Sequence, residues 1–389
     1  MFKVVIIGSG IGGLTAAIAF AQKGADVTVL EQAARLGDVG GGLQISPNGG
    51  RVLNALGLSE PMAKEGVISS AIHMHDGLTG ESVARLTLTQ SDAMPYRFVR
   101  RPRLIDLLLN GAKAAGARVK TGCHVREIET DGRVLLSSGS ELSPDLAIDA
   151  GGLNSVLRPL LNGRSAPFFT GQAAWRAVIP SEGLDFEVNE ARAWMLPGRH
   201  MVAYPLRGGL LNIVAVREQS EWVPEGWMHP DVPEALRAAF TDACPAVKEL
   251  QSRIDKLSLW GLFRHNVAAR WVGPQAALLG DAAHPTLPFL AQGANMAIED
   301  AWVLADCVYR IDDLSKALTT YQTIRRPRAA RAVQAANSNA KIYHMSGVAR
   351  IVLHGGLRLA STVSPGLLQR KFSWLYDHDV TGGAAGKST

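Results

Sequence analysis

A short apolar run, Val4-Val5-Ile6-Ile7, leads straight into Gly8-Ser9-Gly10-Ile11-Gly12-Gly13. Apolar residues then recur at Leu14, Ala17, Ile18 and Ala21 with helical spacing, and a second β-rich run, Val27 to Leu30, ends in Glu31. Strand, glycine turn, helix, strand and acid in this order form the dinucleotide-binding pattern. Gly8 serves the tight turn, Gly10 lets the backbone approach a pyrophosphate, Gly13 lets helix and strand pack closely, and Glu31 meets a ribose. The same glycines in a plain turn would bind nothing, but the surrounding elements argue against that. A βαβ start of this kind commits the chain to a parallel, doubly wound sheet.

A second stretch far along the chain repeats the theme. Ala276 to Leu279 reads as a short buried strand that Gly280-Asp281 stops; a loop with Pro285 and Pro288 follows, then Gly293 and an apolar helical pattern from Ala294. A helix that starts at a glycine after a loop presents backbone N–H groups to an anion. Here those groups belong to Gln292, Gly293 and Ala294. Asp281 stands just past the strand end, where it can accept hydrogen bonds from a polyol.

Together the two stretches resemble the FAD-dependent aromatic hydroxylases, the group A flavoprotein monooxygenases. The resemblance covers nearly the whole chain. It is strongest to the branch that hydroxylates salicylate and 3-hydroxybenzoate, through His284-Pro285, Pro288-Phe289-Leu290-Ala291-Gln292-Gly293-Ala294 and the tail Trp374-Leu375-Tyr376. It implies a two-domain α/β (α+β) fold like that of p-hydroxybenzoate hydroxylase, with a Rossmann-type FAD-binding domain and an antiparallel-sheet substrate domain. It also implies FAD as cofactor and NADH or NADPH as co-substrate. O2 would be activated as a flavin C4a-hydroperoxide. FAD contacts are expected at Gly8, Gly10, Gly13, Glu31, Gln32, Arg101, Val125, Gly280, Asp281, Gly293 and Ala294.

Composition narrows the partners. Hydrophobic residues make up 47% and charged residues 19%, the balance of a globular protein, and 389 residues suit two joined domains. A net charge of +5 favours acidic small molecules but is too diffuse for nucleic acid. The basic clusters Arg100-Arg101-Pro102-Arg103 and Arg325-Arg326-Pro327-Arg328 are both expected at helix starts. Cys123, Cys244 and Cys307 lack metal or redox spacing and read as buried thiols. No apolar run is long enough to span a bilayer. These features lead us to expect a cytoplasmic monomer or homodimer with a small aromatic substrate, without metal, nucleic acid or membrane.

In chain order, Gly40-Gly41-Gly42 precedes Leu43-Gln44-Ile45, with a helix from Pro47. Three successive glycines let backbone approach a flat ring, and Leu43 and Ile45 are candidate pocket residues; a flexible surface loop is the other reading. His73 and His75 alternate on a strand; a metal pair lacks a third ligand, and two partly exposed strand residues is the plainer account. Strands near Arg118 to Thr121, Arg133 to Ser137 and Asp145 to Ile148 should extend the first sheet. The family's Ala-Asp-Gly-x-x-Ser-x-x-Arg motif reads Ala150-Gly151-Gly152-Leu153-Asn154-Ser155-Val156-Leu157-Arg158 here. Its Asp is Gly151, which bears on reduction by NAD(P)H, and Asp149 should point elsewhere.

From Gly171 to Val216 the pattern alternates between turns. The expected domains are 1–168 with 262–340 for FAD, 169–261 for substrate, a helical segment 341–379 and a disordered tail 380–389, with Trp222 to Pro233 an irregular connector. His200 and Tyr204 share a strand face. An electrophilic oxygen needs an electron-rich ring, so a base must draw off the phenolic proton. His200 is the candidate, with a pKa near working pH. Gln292 is its partner at the same hydroxyl, and Tyr204 positions the ring or its carboxylate. Pro288 and Phe289 shape the pocket. His284 is either a structural hydrogen-bonder near the flavin or a second base, and Arg176 or Arg199 meets a carboxylate. Oxidation of a non-aromatic substrate, or a flavin-binding scaffold without activity, keeps the fold and changes the role.

Overall fold

The glycine turn leaves its helix no freedom to stand off from the sheet. In the computed structural model, a Cβ on Gly13 would lie 2.0 Å from the Gly8 carbonyl oxygen, and one on Gly12 would lie 2.5 Å from Leu279 Cδ2. Helix Ile11–Gln22 therefore presses against the strand it follows. The structure describes residues 1–36, 40–88, 94–186, 189–221, 229–363 and 366–382.

The strand Lys3–Ile7 is central to a five-stranded sheet in the order Ala276–Leu278, Leu146–Asp149, Lys3–Ile7, Asp26–Leu30, Arg118–Lys120. Every neighbouring pair is parallel. Except at the edge strand Arg118–Lys120, its strands are largely apolar on both faces because helices cover both. Ile6, Val29, Ile148 and Leu278 are fully or almost fully buried. Strand Val134–Leu136, expected in this sheet, forms a separate three-stranded sheet with Val125–Ile128 and Glu141–Leu142 instead. Its short strands are joined by turns at Gly132 and Gly139, both at positive φ, so they pair with each other.

The second large sheet has eight strands, in the order His229–Asp231, Leu257–Arg264, Phe168–Pro180, Leu210–Glu218, Arg199–Leu206, Glu190–Leu196, Ala71–Asp76, Ser82–Thr87. It is antiparallel except where Glu190–Leu196 runs parallel to Ala71–Asp76. Thus residues 71–87, read with the first domain, belong to this sheet. Side-chain alternation gives the sheet two different faces. Trp175, Ala177, Met201, Ala203, Leu211 and Ile213 face helices Pro233–Ala239 and Pro245–Ser252 in one dry core. Burying each large side chain there contributes roughly 1.5–3 kcal/mol. The residues between them, among them Ala174, Val214 and Val216, turn toward Leu287 and Phe289 of the first domain.

Helix Leu314–Tyr343 runs through Pro327, so the second basic cluster lies inside a helix rather than at its start. Of the connector, residues 222–228 lie outside the described residues, and His229–Asp231 is an edge strand. The expected disordered tail begins with Val380, which is buried against the first core; residues 383–389 lie outside the described residues. Among the described residues, no helix is long and apolar enough to cross a membrane, and no group of three His, Cys, Asp or Glu side chains could hold a metal. His73 Nε2 meets Ser82 Oγ and His75 Nδ1 meets the Gly80 carbonyl, which accounts for both as strand residues.

Candidate active site

The candidate cleft lies between the C-terminal edge of the parallel sheet and the second face of the large sheet, which meet through Leu287 and Phe289. Glu31 stands at one end. Its carboxylate accepts from Ser9 N at 2.9 Å, from Ser9 Oγ at 2.7 Å and from Ala33 N at 2.9 Å, so it is held where the strand ends. A Cβ on Gly10 would meet nothing within 4 Å, leaving that backbone open at the helix start. Gln32 is exposed beside it. Val125 is buried in the core, and its strand forms part of the small sheet.

Arg101 links this end to the second motif. Burial pushes its guanidinium down, and the charges of Asp281 and Glu31 act against that. Asp281 lies in the short turn after strand Ala276–Leu278. Its side chain has accessible surface yet is surrounded by protein. Burial pushes it up from the usual carboxylate range, while His284 and Arg101 pull the other way. Gly293 opens helix Gly293–Arg310 with Asp281 Oδ1 close by, 3.9 Å from where a Cβ would stand, and Ala294 follows in the same first turn. The loop before it bends through Ala291 at φ 53°, the one described non-glycine residue with positive φ. Asn295 Nδ2 donates to the Ala291 carbonyl at 2.8 Å and fixes that bend.

Beneath the loop is a buried ionic cluster. Arg325, fully buried, pairs with Glu299 at 2.5 Å and with Asp300 at 2.7 Å, and Arg328 adds a second cation to Glu299. Burial alone would raise both carboxyls. For Glu299 the two arginines outweigh it, for Asp300 His284 and Arg325 do, and both are held below the usual range. His284 Nε2 bonds to Asp300 at 2.5 Å with its ring on Trp271, which makes it part of this cluster. Gln292 is also built in: its Nε2 donates to Ser46 Oγ at 3.0 Å, and Asn48 Nδ2 donates to its Oε1 at 3.2 Å. Arg328 also donates to the carbonyls of Trp374 and Leu375 and so anchors the tail.

The triple-glycine segment packs on protein side chains. Cβ atoms on Gly40, Gly41 and Gly42 would collide with Arg101, Asn212 and Tyr204 respectively, at 2.8, 2.4 and 2.5 Å. Gly42 N donates to Asn212 Oδ1 at 2.6 Å, a contact with no local sequence signal. Ile45 is 1% exposed in the core and Leu43 is partly buried against it. Tyr204 packs on Phe98, and burial raises its hydroxyl, with Arg176 partly offsetting, so it stays an O–H donor. Arg176 lies on the same face with its guanidinium 4.2 Å from the Trp260 ring centroid. Burial pushes it down to about 10, so it remains a cation at neutral pH. Arg199 points to the opposite face, where it pairs with Asp242 and covers Phe240, away from the cleft.

His200 is buried on the cleft face, 5.2 Å from the Phe289 ring centroid; Phe289 lies in the short turn that Pro288 begins. Its pKa does not sit near working pH: burial first, and His344 second, push it well below the ordinary value. Its Nδ1 meets His344 Nε2 at 2.7 Å, and His344 Nδ1 meets Glu218 Oε1 at 3.0 Å. Neither partner is signalled locally, since His344 is 144 residues from His200.

The Asp149 carboxylate curls into the loop that departs from the family motif. It accepts from Gly151 N at 2.8 Å, Ser155 Oγ at 2.7 Å and Leu157 N at 2.9 Å. So Asp149 caps that loop and does not point elsewhere, because the chain turns at Gly151 instead of continuing extended. Arg158 donates to the carbonyls of Ala282, Ala283 and Asn266 and ties the same loop to Asp281's turn.

Residues 1–336 match the model of the FAD binding domain family. The chain belongs to the FAD-dependent aromatic hydroxylases. It is 34% identical over 352 residues to 3-amino-4-hydroxybenzoate 2-monooxygenase PtnB3 of Streptomyces platensis, covering 88% of this chain and 89% of that one. It is 33% identical over 389 residues to 3-hydroxybenzoate 6-hydroxylase of Polaromonas naphthalenivorans, covering 97% and 96%. Among solved structures, Klebsiella pneumoniae HpxO complexed with FAD and uric acid superposes with a TM-score of 0.83 at 26% identity, over 96% of this chain and 97% of that one. This hydroxylase therefore uses FAD, with NAD(P)H as co-substrate, and its cleft suits FAD. The open Gly10, the fixed Glu31, the Arg101 cation and the partly exposed Asp281 are groups of the kind a nucleotide and a polyol chain require.

Proposed function

We propose that this hydroxylase acts on a small phenolic acid of the hydroxybenzoate type. Bound FAD, reduced by NAD(P)H, supplies an electrophilic oxygen from O2; the protein supplies orientation, dryness and proton handling. Glu31, Arg101, Asp281 and the start of helix Gly293–Arg310 hold the cofactor. The observation that carries the reading is the cleft face of the large sheet. It places a neutral imidazole, His200, on the same strand face as Tyr204, with the Arg176 cation nearby.

His200 and Tyr204 are four residues apart, about 13 Å between Cα atoms at ~3.3 Å per residue, with Val202 on the same face between them. His200, held neutral, accepts the phenolic proton and so enriches the ring. Arg176 and the Tyr204 hydroxyl receive the carboxylate through charge-assisted hydrogen bonds. Gln292, engaged with Ser46 and Asn48, holds the loop that faces the phenol. Pro288, Phe289 and Leu43 wall the ring. The substrates named for the two relatives carry a hydroxyl and a carboxylate on one ring, which agrees with this pair of subsites.

His200→Ala tests the reading. FAD content should stay at one per chain while hydroxylation of the best phenolic acid falls at least a hundredfold, the usual scale of a lost acid–base group. Wild-type turnover in that variant would remove His200 from the reaction.

A further inference from the structure

A proton drawn into a buried imidazole must leave again, or the site holds an unpaired buried cation at large cost. The chain His200, His344, Glu218 offers a way out. Its two links, 2.7 and 3.0 Å, are hydrogen-bond distances, and it begins at a residue 2% exposed and ends on a carboxylate whose side chain is 57% exposed. The Glu218 end opens on a surface hollow lined by Thr170, Gly171, Gln172, Gln219 and Ser220.

The backbone holds this chain rigid. Gly198 N donates to the His344 carbonyl at 3.0 Å, and Glu218 N donates to the Gly198 carbonyl at 2.8 Å. One turn of the large sheet thus clasps both relay residues. The groups that face the two imidazoles are Phe289, Tyr343 and Glu218. Burial raises the Tyr343 hydroxyl, so Tyr343 stays neutral and does not compete for the proton. Burial lowers His344 as well as His200, with Glu218 opposing it at His344. Two rings that resist charge suit a path for a proton better than a store for one.

We propose that His344 and Glu218 act with His200 as a proton relay that carries the substrate's phenolic proton from the cleft to bulk water; this rests on the phenolic-acid reading above. In the resting arrangement His200 Nδ1–H donates to His344 Nε2, and His344 Nδ1–H donates to Glu218. The phenolic O–H bond breaks, its electron pair stays on oxygen, and the proton binds His200 Nε2. The Nδ1 proton of His200 moves to His344 Nε2, the Nδ1 proton of His344 moves to Glu218, and Glu218 releases it to water. Both rings change tautomer and neither gains net charge. The reverse transfer reprotonates the product and restores the first arrangement. His344 and Glu218 are positioning residues, since they act through His200.

The test uses the FAD-loaded protein and rapid mixing with 3-hydroxybenzoate, 4-hydroxybenzoate and 3-amino-4-hydroxybenzoate. Binding is read by flavin fluorescence and ionisation by the longer-wavelength absorbance of the phenolate, in H2O and D2O. His344→Gln should slow ionisation at least tenfold and Glu218→Gln at least threefold, with Kd within twofold of wild type and a reduced solvent isotope effect. Glu218 is at the surface, so its variant keeps the fold even if the His344 variant does not. Ionisation at the wild-type rate with an unchanged isotope effect in Glu218→Gln would overturn the relay. So would a loss of binding that fully accounts for slower ionisation, which would make the three residues a structural clasp. If the wild-type protein binds and ionises none of the phenols, the phenolic-acid reading falls first and the relay with it.

Discussion

The two walls of the cleft are built from different materials. The cofactor wall works with backbone: a glycine turn, two helix starts and a loop held at Ala291 by one amide. Beyond Glu31, Arg101 and Asp281, its charged side chains lie beneath, locked into the cluster of Arg325, Arg328, Glu299, Asp300 and His284. The substrate wall works with side chains that project from a flat sheet, namely His200, Arg176, Tyr204 and Asn212. The cofactor wall tolerates almost no change of shape, because a missing Cβ is what makes its packing possible. The substrate wall can exchange one side chain for another on the same strands. A single scaffold can thus hold one cofactor while its substrate face varies.

The largest effect expected on this contrast comes from breaking the cofactor wall's foundation. Arg325→Met leaves two buried carboxylates short of their shared cation, and removing one partner of a buried pair costs about 3–5 kcal/mol. Chemical denaturation of the FAD-loaded protein should show a loss of that size. The sign with pH follows from the carboxyls held low. Their contribution is present above the unfolded carboxylate value of about 4 and is lost as pH falls through the lower folded values. The gap between wild type and Arg325→Met should therefore narrow in acid; a gap independent of pH would show that the network contributes through packing alone.

On the substrate wall, Arg176→Met should weaken binding of phenolic acids by about 1.5–3 kcal/mol, on the order of tenfold to a hundredfold in Kd, and leave FAD binding unchanged. Titration with a phenolic acid and with the matching phenol lacking a carboxylate checks this, since only the acid should lose affinity. An equal loss for both would place the carboxylate elsewhere.

A Cβ on Gly151 would stand 2.9 Å from Asp149 Oδ1. Gly151→Asp alone would bring two carboxylates together, and we expect a loss of about 1–3 kcal/mol. Asp149→Gly with Gly151→Asp should recover most of it, because neighbouring changes couple. Additive losses in the double variant would mean the two positions do not share one role. The smallest effect belongs to Ala291→Gly, which removes a left-handed Cβ but frees the unfolded chain. Stability should stay within about 1 kcal/mol of wild type, as measured by thermal unfolding.

How much of this was legible in the sequence follows the same division. The glycine turn, Glu31, Gly280-Asp281 and Gly293 could be read directly, because each depends on residues within a few positions. The alternation that places His200 and Tyr204 on one face is also local. The partners that set their chemistry are not. His344 reaches His200 across 144 residues, and Asn212 reaches Gly42 across 170. Periodicity carries no signal for such pairs. The burial that drives His200 below its ordinary pKa is a property of the assembled wall. The role of Asp149 escapes local pattern for a related reason, since it depends on the chain turning at Gly151. Residues 71–87 joined the large sheet through a parallel pairing with Glu190–Leu196 that no local pattern announces.

If this flavin hydroxylase is built around a phenolic acid, that acid should control the reduction of its FAD. The most direct measurement is anaerobic reduction of its FAD by NADH and by NADPH, followed at the flavin absorbance, with and without each of several hydroxybenzoates. Reduction should be slow alone and sharply accelerated by one phenolic acid, with no acceleration by the benzoate that lacks the hydroxyl. Reduction that no phenolic acid accelerates, or that the plain benzoate accelerates equally, would contradict the phenolic-acid reading.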